Sequence, residues 1–241
     1  MRGNERDADT SPAAGSTAAG YFGSMVERYD SLIRRAVPRY DEMITRLVEH
    51  LPELGAGARV LELGCGTGNL TLRLLEKYAD AEVVAVDAAP EMTELTSERA
   101  GAGGRARLKV VTDRFEKLAF ADGSFDLVTS SLSLHHVREK RPLYAAMARW
   151  LRPDGRLVFA DQLDGATEAV TRVHWDLWLA FCREPGHCTE EEIAGLTEHS
   201  RLHDHYEAAA AHFAMMEGAG FSEVDLMWRN GMYSVLGGTR R

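Results

Sequence analysis

Several residues in this chain have types and spacings suited to chemistry. Gly64, Gly66 and Gly68 alternate in the run VLELGCGTGNL, and the carboxylate of Glu62 stands two residues before the first of them. Asp87 closes EVVAVD and Asp113 follows RLKVV, so two more carboxylates come after apolar runs. His135 and His136 sit side by side beyond FDLVTSS, and Asp161, followed by Gln162, ends RLVFAD. Glycines at such spacing let a ligand approach the backbone. Imidazoles and a carboxylate can take a proton from a substrate.

The glycine run also limits the ligand. A dinucleotide fingerprint reads G-x-G-x-x-G, but here the third glycine comes one residue early and Asn69 takes its place. A pyrophosphate beside Glu62 would bring like charges together at a partly dry turn. A zwitterionic or cationic ligand would be stabilised there instead. S-adenosylmethionine carries an ammonium and a sulfonium and has no phosphate. Its methionine tail can lie along a loop of glycines, with Cys65 as a small filler. Asp87 is then placed to accept from both ribose hydroxyls, and Asp113 to meet the adenine amino group. Ser130 and Ser131 end the next run, beside the crevice. These positions fall at carboxyl ends of strands, where open α/β sheets bind ligands.

The elements that must position these residues alternate. Strands are expected at 59–63, 82–87, 107–111, 125–131 and 156–161, with a turn at RPDGR before the last. Helices are expected over 69–78, from Pro90 and from Pro142. Apolar strands separated by helices imply a parallel sheet covered on both faces. Upstream, Phe22, Met25, Val26, Tyr29, Leu32 and Ile33 share one helical face, and a second amphipathic helix follows Pro38. Downstream, residues 165–203 form two helical segments without a strand. The first carries Val170, Val173, His174, Leu177, Trp178 and Phe181 on one stripe, and the second opens with the capping box Thr189/Glu192. A helix from about Asp204 to Gly218 comes next. Two strand-like runs then flank Asn230-Gly231, a hairpin signal. Residues 1–20 are small, polar and aperiodic and read as a disordered tail. Residues 21–241 read as a single domain.

Composition excludes several classes. A net charge of −9 over 241 residues argues against a broad phosphate-binding surface and a nucleic-acid partner. Three scattered cysteines make no disulfide framework and point to a reducing, cytoplasmic setting. No apolar run approaches the ~20 residues of a membrane span. The remaining histidines and cysteines match no standard zinc spacing, so no metal is expected.

Taken in order, ELGCGTGNL, VDAAPEM, TDRFEKLAF, FDLVTSSLSLHHV and LRPDGRLVFAD resemble the class I S-adenosylmethionine-dependent methyltransferases over roughly residues 58–165. EGAGFSEVDLMWRNGMYSVLGG is similar to that family's last helix and reversed strand. The resemblance implies a Rossmann-like, doubly wound, mostly parallel seven-stranded sheet with an antiparallel last strand. It also implies an N-terminal helical lid over 21–52, here joined by the helical insertion after the fifth strand. In such a site Gly64, Gly66 and Gly68 cradle the methionine portion, and Glu62 fixes the loop or the ammonium. Asp87 holds the ribose, Ala88 lies beside the adenine and Asp113 reaches its amino group. Tyr21 and Tyr29 belong to the lid.

On the acceptor side His136 is the better candidate base, with His135 and Asp161 as the others. The apolar insert, with His174 and Trp178, reads as a wall for a small, partly apolar acceptor, bound by a monomer or homodimer. Attack on the aminocarboxypropyl carbon (a cyclisation to an azetidine amino acid, for example), a tRNA-modifying methyltransferase and a non-catalytic binding module remain alternatives.

Overall fold

The computed structural model describes Gly20 and residues 26–241. Tyr21 and nearly all of the expected tail lie outside the described residues.

Seven strands form one sheet in the order β3-β2-β1-β4-β5-β7-β6. They are β1 Arg59–Leu63, β2 Glu82–Asp87, β3 Leu108–Thr112, β4 Phe125–Ser131, β5 Leu151–Gln162, β6 Phe221–Asn230 and β7 Tyr233–Arg240. Strands β1 to β5 pair in parallel, whereas β7 runs antiparallel to both β5 and β6. Gly231 makes the hairpin turn at φ 60°. The helices are α1 Val26–Ala36, α2 Tyr40–Glu49, α3 Asn69–Lys77, α4 Pro90–Arg99, α5 Gly101–Arg105, α6 Lys140–Trp150, α7 Glu168–Cys182, α8 Glu190–His203 and α9 Ala209–Gly218.

Period-two alternation divides the core. Val60, Val83, Leu127 and Val158 join one apolar cluster with Met43, Leu47 and Leu74, while Leu61, Val84, Val128 and Phe159 join another with Met147 and Trp150. Each fully buried aliphatic or aromatic side chain contributes about 1.5–3 kcal/mol by leaving water. The sheet is therefore wound on both faces, and its carboxyl ends are held rigidly.

Three local expectations need correction. The RPDGR segment belongs to β5 as an irregular start: the pairing with β4 shifts register there, and Asp154 takes φ 63°. The helix expected from Asp204 begins at Ala209. Residues 204–208 stay outside it because the Asp204 carboxylate is engaged by His136 and Tyr206, and the His205 amide donates to the His135 carbonyl. The stripe read on α7 divides. Val170, Val173 and Leu177 are exposed, whereas Trp178 and Cys182 are buried and Trp175 packs against the core. The capping box forms as read, with Thr189 and Glu192 bonding reciprocally. Among the described residues no helix is long and apolar enough to cross a membrane.

Candidate functional site

The glycine loop follows β1 because its backbone must turn where side chains cannot fit. Gly64, Gly66 and Gly68 all have positive φ, and a Cβ on Gly64 would stand 1.9 Å from Ser133 Oγ. At Gly66 a Cβ would meet nothing within 4 Å, so that side of the loop is open. Gly68 is left-handed and begins α3. The loop is pinned from three directions. The Gly66 amide donates to Asp87 Oδ2 at 2.8 Å, Thr96 Oγ1 donates to the Gly66 carbonyl, and Arg99 donates to the Thr67 carbonyl. Asp30 on α1 accepts from Thr67 at 2.5 Å, Asn69 at 2.9 Å and Arg99 at 2.7 Å, which latches the N-terminal helix onto the loop.

A cavity of about 480 Å³ lies over this loop, lined by Tyr29, Gly64, Gly66, Asp87, Ala88 and Phe115 among others. A side pocket reaches Glu62 and Cys65. Glu62 is buried and accepts from Thr71 at 2.6 Å through one oxygen, while its Oε1 has no hydrogen-bond partner among the described residues. Burial pushes its pKa up to about 8. Burial also raises the Cys65 thiol well above its usual range, so it is an inert filler. Asp87 also accepts from the Ala89 amide, leaving lone pairs on both oxygens for a diol. A buried carboxyl oxygen that shares a pocket with the glycine loop suits an ammonium, and Asp87 suits a ribose. The donor set fits S-adenosylmethionine.

Two expected residues fall elsewhere. Ser130 is buried and donates to the Leu63 carbonyl, bracing β4 on β1, and Ser131 takes the lining position. Asp113 accepts from the following amide and does not line the large cavity, where Arg114, Phe115 and Glu116 stand instead.

Beyond β4, a short 3-10 turn at Leu134–His136 carries both histidines. His135 is buried, and its Nδ1 donates to Asp161 Oδ1 at 2.5 Å. Burial acts to lower its pKa, but Asp161 and Asp204 together outweigh this and raise it. His136 Nδ1 donates to Asp204 Oδ1 at 2.8 Å. Burial and the neighbouring His135 lower the pKa of His136, against the pull of Asp204. Burial acts to raise the Asp204 carboxyl, yet His136, His135 and Tyr206 hold it well below the usual range. Two adjacent imidazoles are thus pushed apart, one toward the charged and one toward the neutral form. A carboxylate can only accept, so Nε2 is the basic nitrogen of neutral His136.

His136 borders a second cavity of about 80 Å³, lined by Tyr29, Leu132, Trp175, Trp178, Asp204 and Tyr206 among others. Trp178 is held there by its indole, which donates to the Ala36 carbonyl at 2.8 Å. His174 is not among the lining residues; it lies toward Asp164 and Arg229. Asp161 is fully buried behind His135, with Gln162 at the cavity in its place. Sequence reasoning missed Asp30, Trp175, Asp204 and Tyr206. Trp175 alone carried a signal, since it shares a face with Trp178 and Cys182 at helical spacing.

A family model described as a methyltransferase domain matches residues 60–155. The demethylmenaquinone methyltransferase of Thermus thermophilus is 32% identical over 204 residues, covering 83% of this chain and 91% of that one. A wheat phosphoethanolamine N-methyltransferase is 28% identical over 71% of this chain, which spans only 30% of the wheat protein's length. In three dimensions the chain is similar, at a TM-score of 0.68 and 17% identity, to a chain of the complex between the Haloferax volcanii Trm112 methyltransferase activator and a putative methyltransferase. That match covers 90% of this chain and 96% of the other. The glycine loop, the reversed last strand and the near full-length likeness to the Thermus protein agree: the chain belongs to the class I S-adenosylmethionine-dependent methyltransferase family.

Proposed function

We propose that this protein transfers the methyl group of S-adenosylmethionine to a small, partly apolar acceptor bound in the second cavity, with His136 as the general base. The observation that carries the reading is the position of His136. Together with Tyr29 and Leu132 it lines both the cavity over the glycine loop and the cavity walled by Trp175 and Trp178. One imidazole therefore stands at the junction between cofactor and acceptor.

The cofactor supplies a methyl group on a sulfonium, already a good leaving group. Glu62 and the glycine loop hold the methionine portion and Asp87 the ribose. Asp30 keeps the N-terminal helix closed over them and excludes water. Trp175, Trp178 and Tyr206 orient the acceptor, and positioning of this kind supplies much of the acceleration. As the acceptor atom bonds to the methyl carbon, its proton passes to His136 Nε2, while the electron pair of the breaking bond remains on sulfur. Asp204 holds His136 in the required tautomer. Asp161 holds His135 and acts only through it.

Two of three relatives support a small-molecule reading, and the third is named for an acyl group carried on a protein. They are named for demethylmenaquinone, phosphoethanolamine and malonyl-acyl carrier protein. The test is the nucleoside product. With S-adenosylmethionine alone the protein should be nearly idle, and with acceptor it should form S-adenosylhomocysteine. Steady methylthioadenosine above the spontaneous background, without acceptor, would replace methyl transfer by attack on the aminocarboxypropyl chain.

A further inference from the structure

The acceptor-side cluster has a second capacity. We propose that His135, His136 and Asp204 form a binding site for one borderline divalent transition metal ion, of which Zn²⁺ is the type. One donor atom from each lies within 4.8 Å of those from the other two. Asp204 Oδ1 is the hub, at 2.8 Å from His136 Nδ1, 3.8 Å from His135 Nε2 and 3.6 Å from His199 Nε2. Donors of a tetrahedral zinc site with bonds of ~2.0–2.1 Å stand ~3.4 Å from one another, so small side-chain shifts would bring this set around an ion.

The surroundings also match a metal centre. A ligating imidazole usually gives its other ring nitrogen to a carboxylate, which fixes its tautomer and direction. His135 does so, with Nδ1 on Asp161 Oδ1 while Nε2 faces Asp204. The second oxygen of Asp204 accepts from Tyr206 at 2.5 Å, so that ligand too is fixed from behind. Imidazoles with one carboxylate favour zinc, cobalt or nickel over magnesium or calcium, which prefer all-oxygen shells. Both histidines and Asp204 line the second cavity, from which a further ligand can be drawn.

Occupancy would have a consequence for the reaction. An ion can bind His136 Nδ1 only if the proton donated to Asp204 leaves that nitrogen, and the ring stays neutral by taking a proton on Nε2. That nitrogen then has no lone pair for an acceptor proton, and bound metal acts as an inhibitor.

The test is titration of the tag-free, full-length protein with Co²⁺, whose visible bands report coordination, followed by displacement with Zn²⁺. One equivalent should bind with the bands of a tetrahedral nitrogen–oxygen site. Asp204→Asn and His135→Gln should weaken binding at least tenfold. Asp161→Asn keeps all three ligands and should weaken it by about 10- to 100-fold through loss of the outer carboxylate. Binding of S-adenosylhomocysteine reports whether each variant folds; if Asp204→Asn fails this control, His135→Gln gives the same comparison. Absence of cobalt bands in the parent, or equal affinity in the parent and a folded ligand variant, overturns the site. Undiminished turnover by zinc-saturated protein overturns the inhibitory consequence.

Discussion

On the cofactor side, Glu62, Gly64, Cys65 and Gly66 are near neighbours in sequence, and Asp87 joins them from 21 residues beyond Gly66 through a backbone amide. On the acceptor side, His136 meets Asp204 across 68 residues, and Trp178 meets α1 across 142. The first half is shaped by backbone turns that glycine adopts without strain. The second is assembled by side chains from α1, the 3-10 turn after β4, the end of β5, α7 and the segment after α8. A site of the first kind takes its shape from local backbone turns and is then pinned by β2, α4 and α1, whereas a site of the second kind exists only once distant segments have docked. The cofactor half should therefore tolerate changes on the acceptor side, and the acceptor half can be rebuilt without disturbing the glycine loop.

The comparison breaks most visibly at the proposed base. His136→Gln should lower turnover by about 10²–10⁴-fold, the usual contribution of general base catalysis. Initial-rate measurement with saturating cofactor and acceptor reads this directly.

The next largest effect belongs to the loop. Gly64→Ala adds a Cβ that would stand 2.3 Å from Ser133 Cβ, at a φ of +76°. Left-handed strain alone costs about 1–3 kcal/mol. Calorimetry should show S-adenosylhomocysteine binding weakened by roughly 10- to 100-fold, and unchanged affinity would mean the loop does not form the cradle.

A third test uses Glu62, whose pKa is pushed up to about 8 by burial. A carboxyl that holds its proton more tightly when folded is stabilising at low pH. The ligand-free protein should therefore lose stability as pH rises from the ordinary carboxyl range, ~4.3, toward 8. Glu62→Gln should flatten this slope in thermal melts between pH 5 and 8, and should weaken cofactor binding. A parent whose melting temperature does not fall over that interval would contradict the buried, proton-holding carboxyl.

The smallest effect separates neighbours on α7. Trp175→Ala should raise the acceptor KM roughly tenfold, ~1.4 kcal/mol, whereas His174→Ala should leave it unchanged. Equal effects would show that the acceptor lies along a different face of the insert.

This contrast also explains what was legible in the sequence. The strands, the β6–β7 hairpin and the glycine loop follow from local patterns, period-two apolar runs, alternate glycines and Asn230-Gly231, whereas the reversal of β7 against β5 follows from the family resemblance. The pattern places Ser130 and Ser131 together at the crevice, because neighbouring strand residues face opposite sides and only register tells which one lines it. Asp204 reads as the start of a helix because nothing nearby in sequence shows that its carboxylate is taken by His136, 68 residues away. His174 shared an apparent stripe with Trp178, yet the buried face of α7 runs through Trp175, Trp178 and Cys182. Asp30 left no signal at all, since its partners Thr67, Asn69 and Arg99 lie beyond two or more intervening elements.

The most direct test of two separately built halves is the affinity of the His136→Gln variant for S-adenosylhomocysteine, measured by calorimetry beside the parent. The account predicts dissociation constants equal within about twofold, ~0.4 kcal/mol, despite the large loss of turnover. A tenfold weaker cofactor complex in that variant would contradict it, showing that the wall His136 shares between the two cavities carries cofactor affinity and that the halves are not separately built.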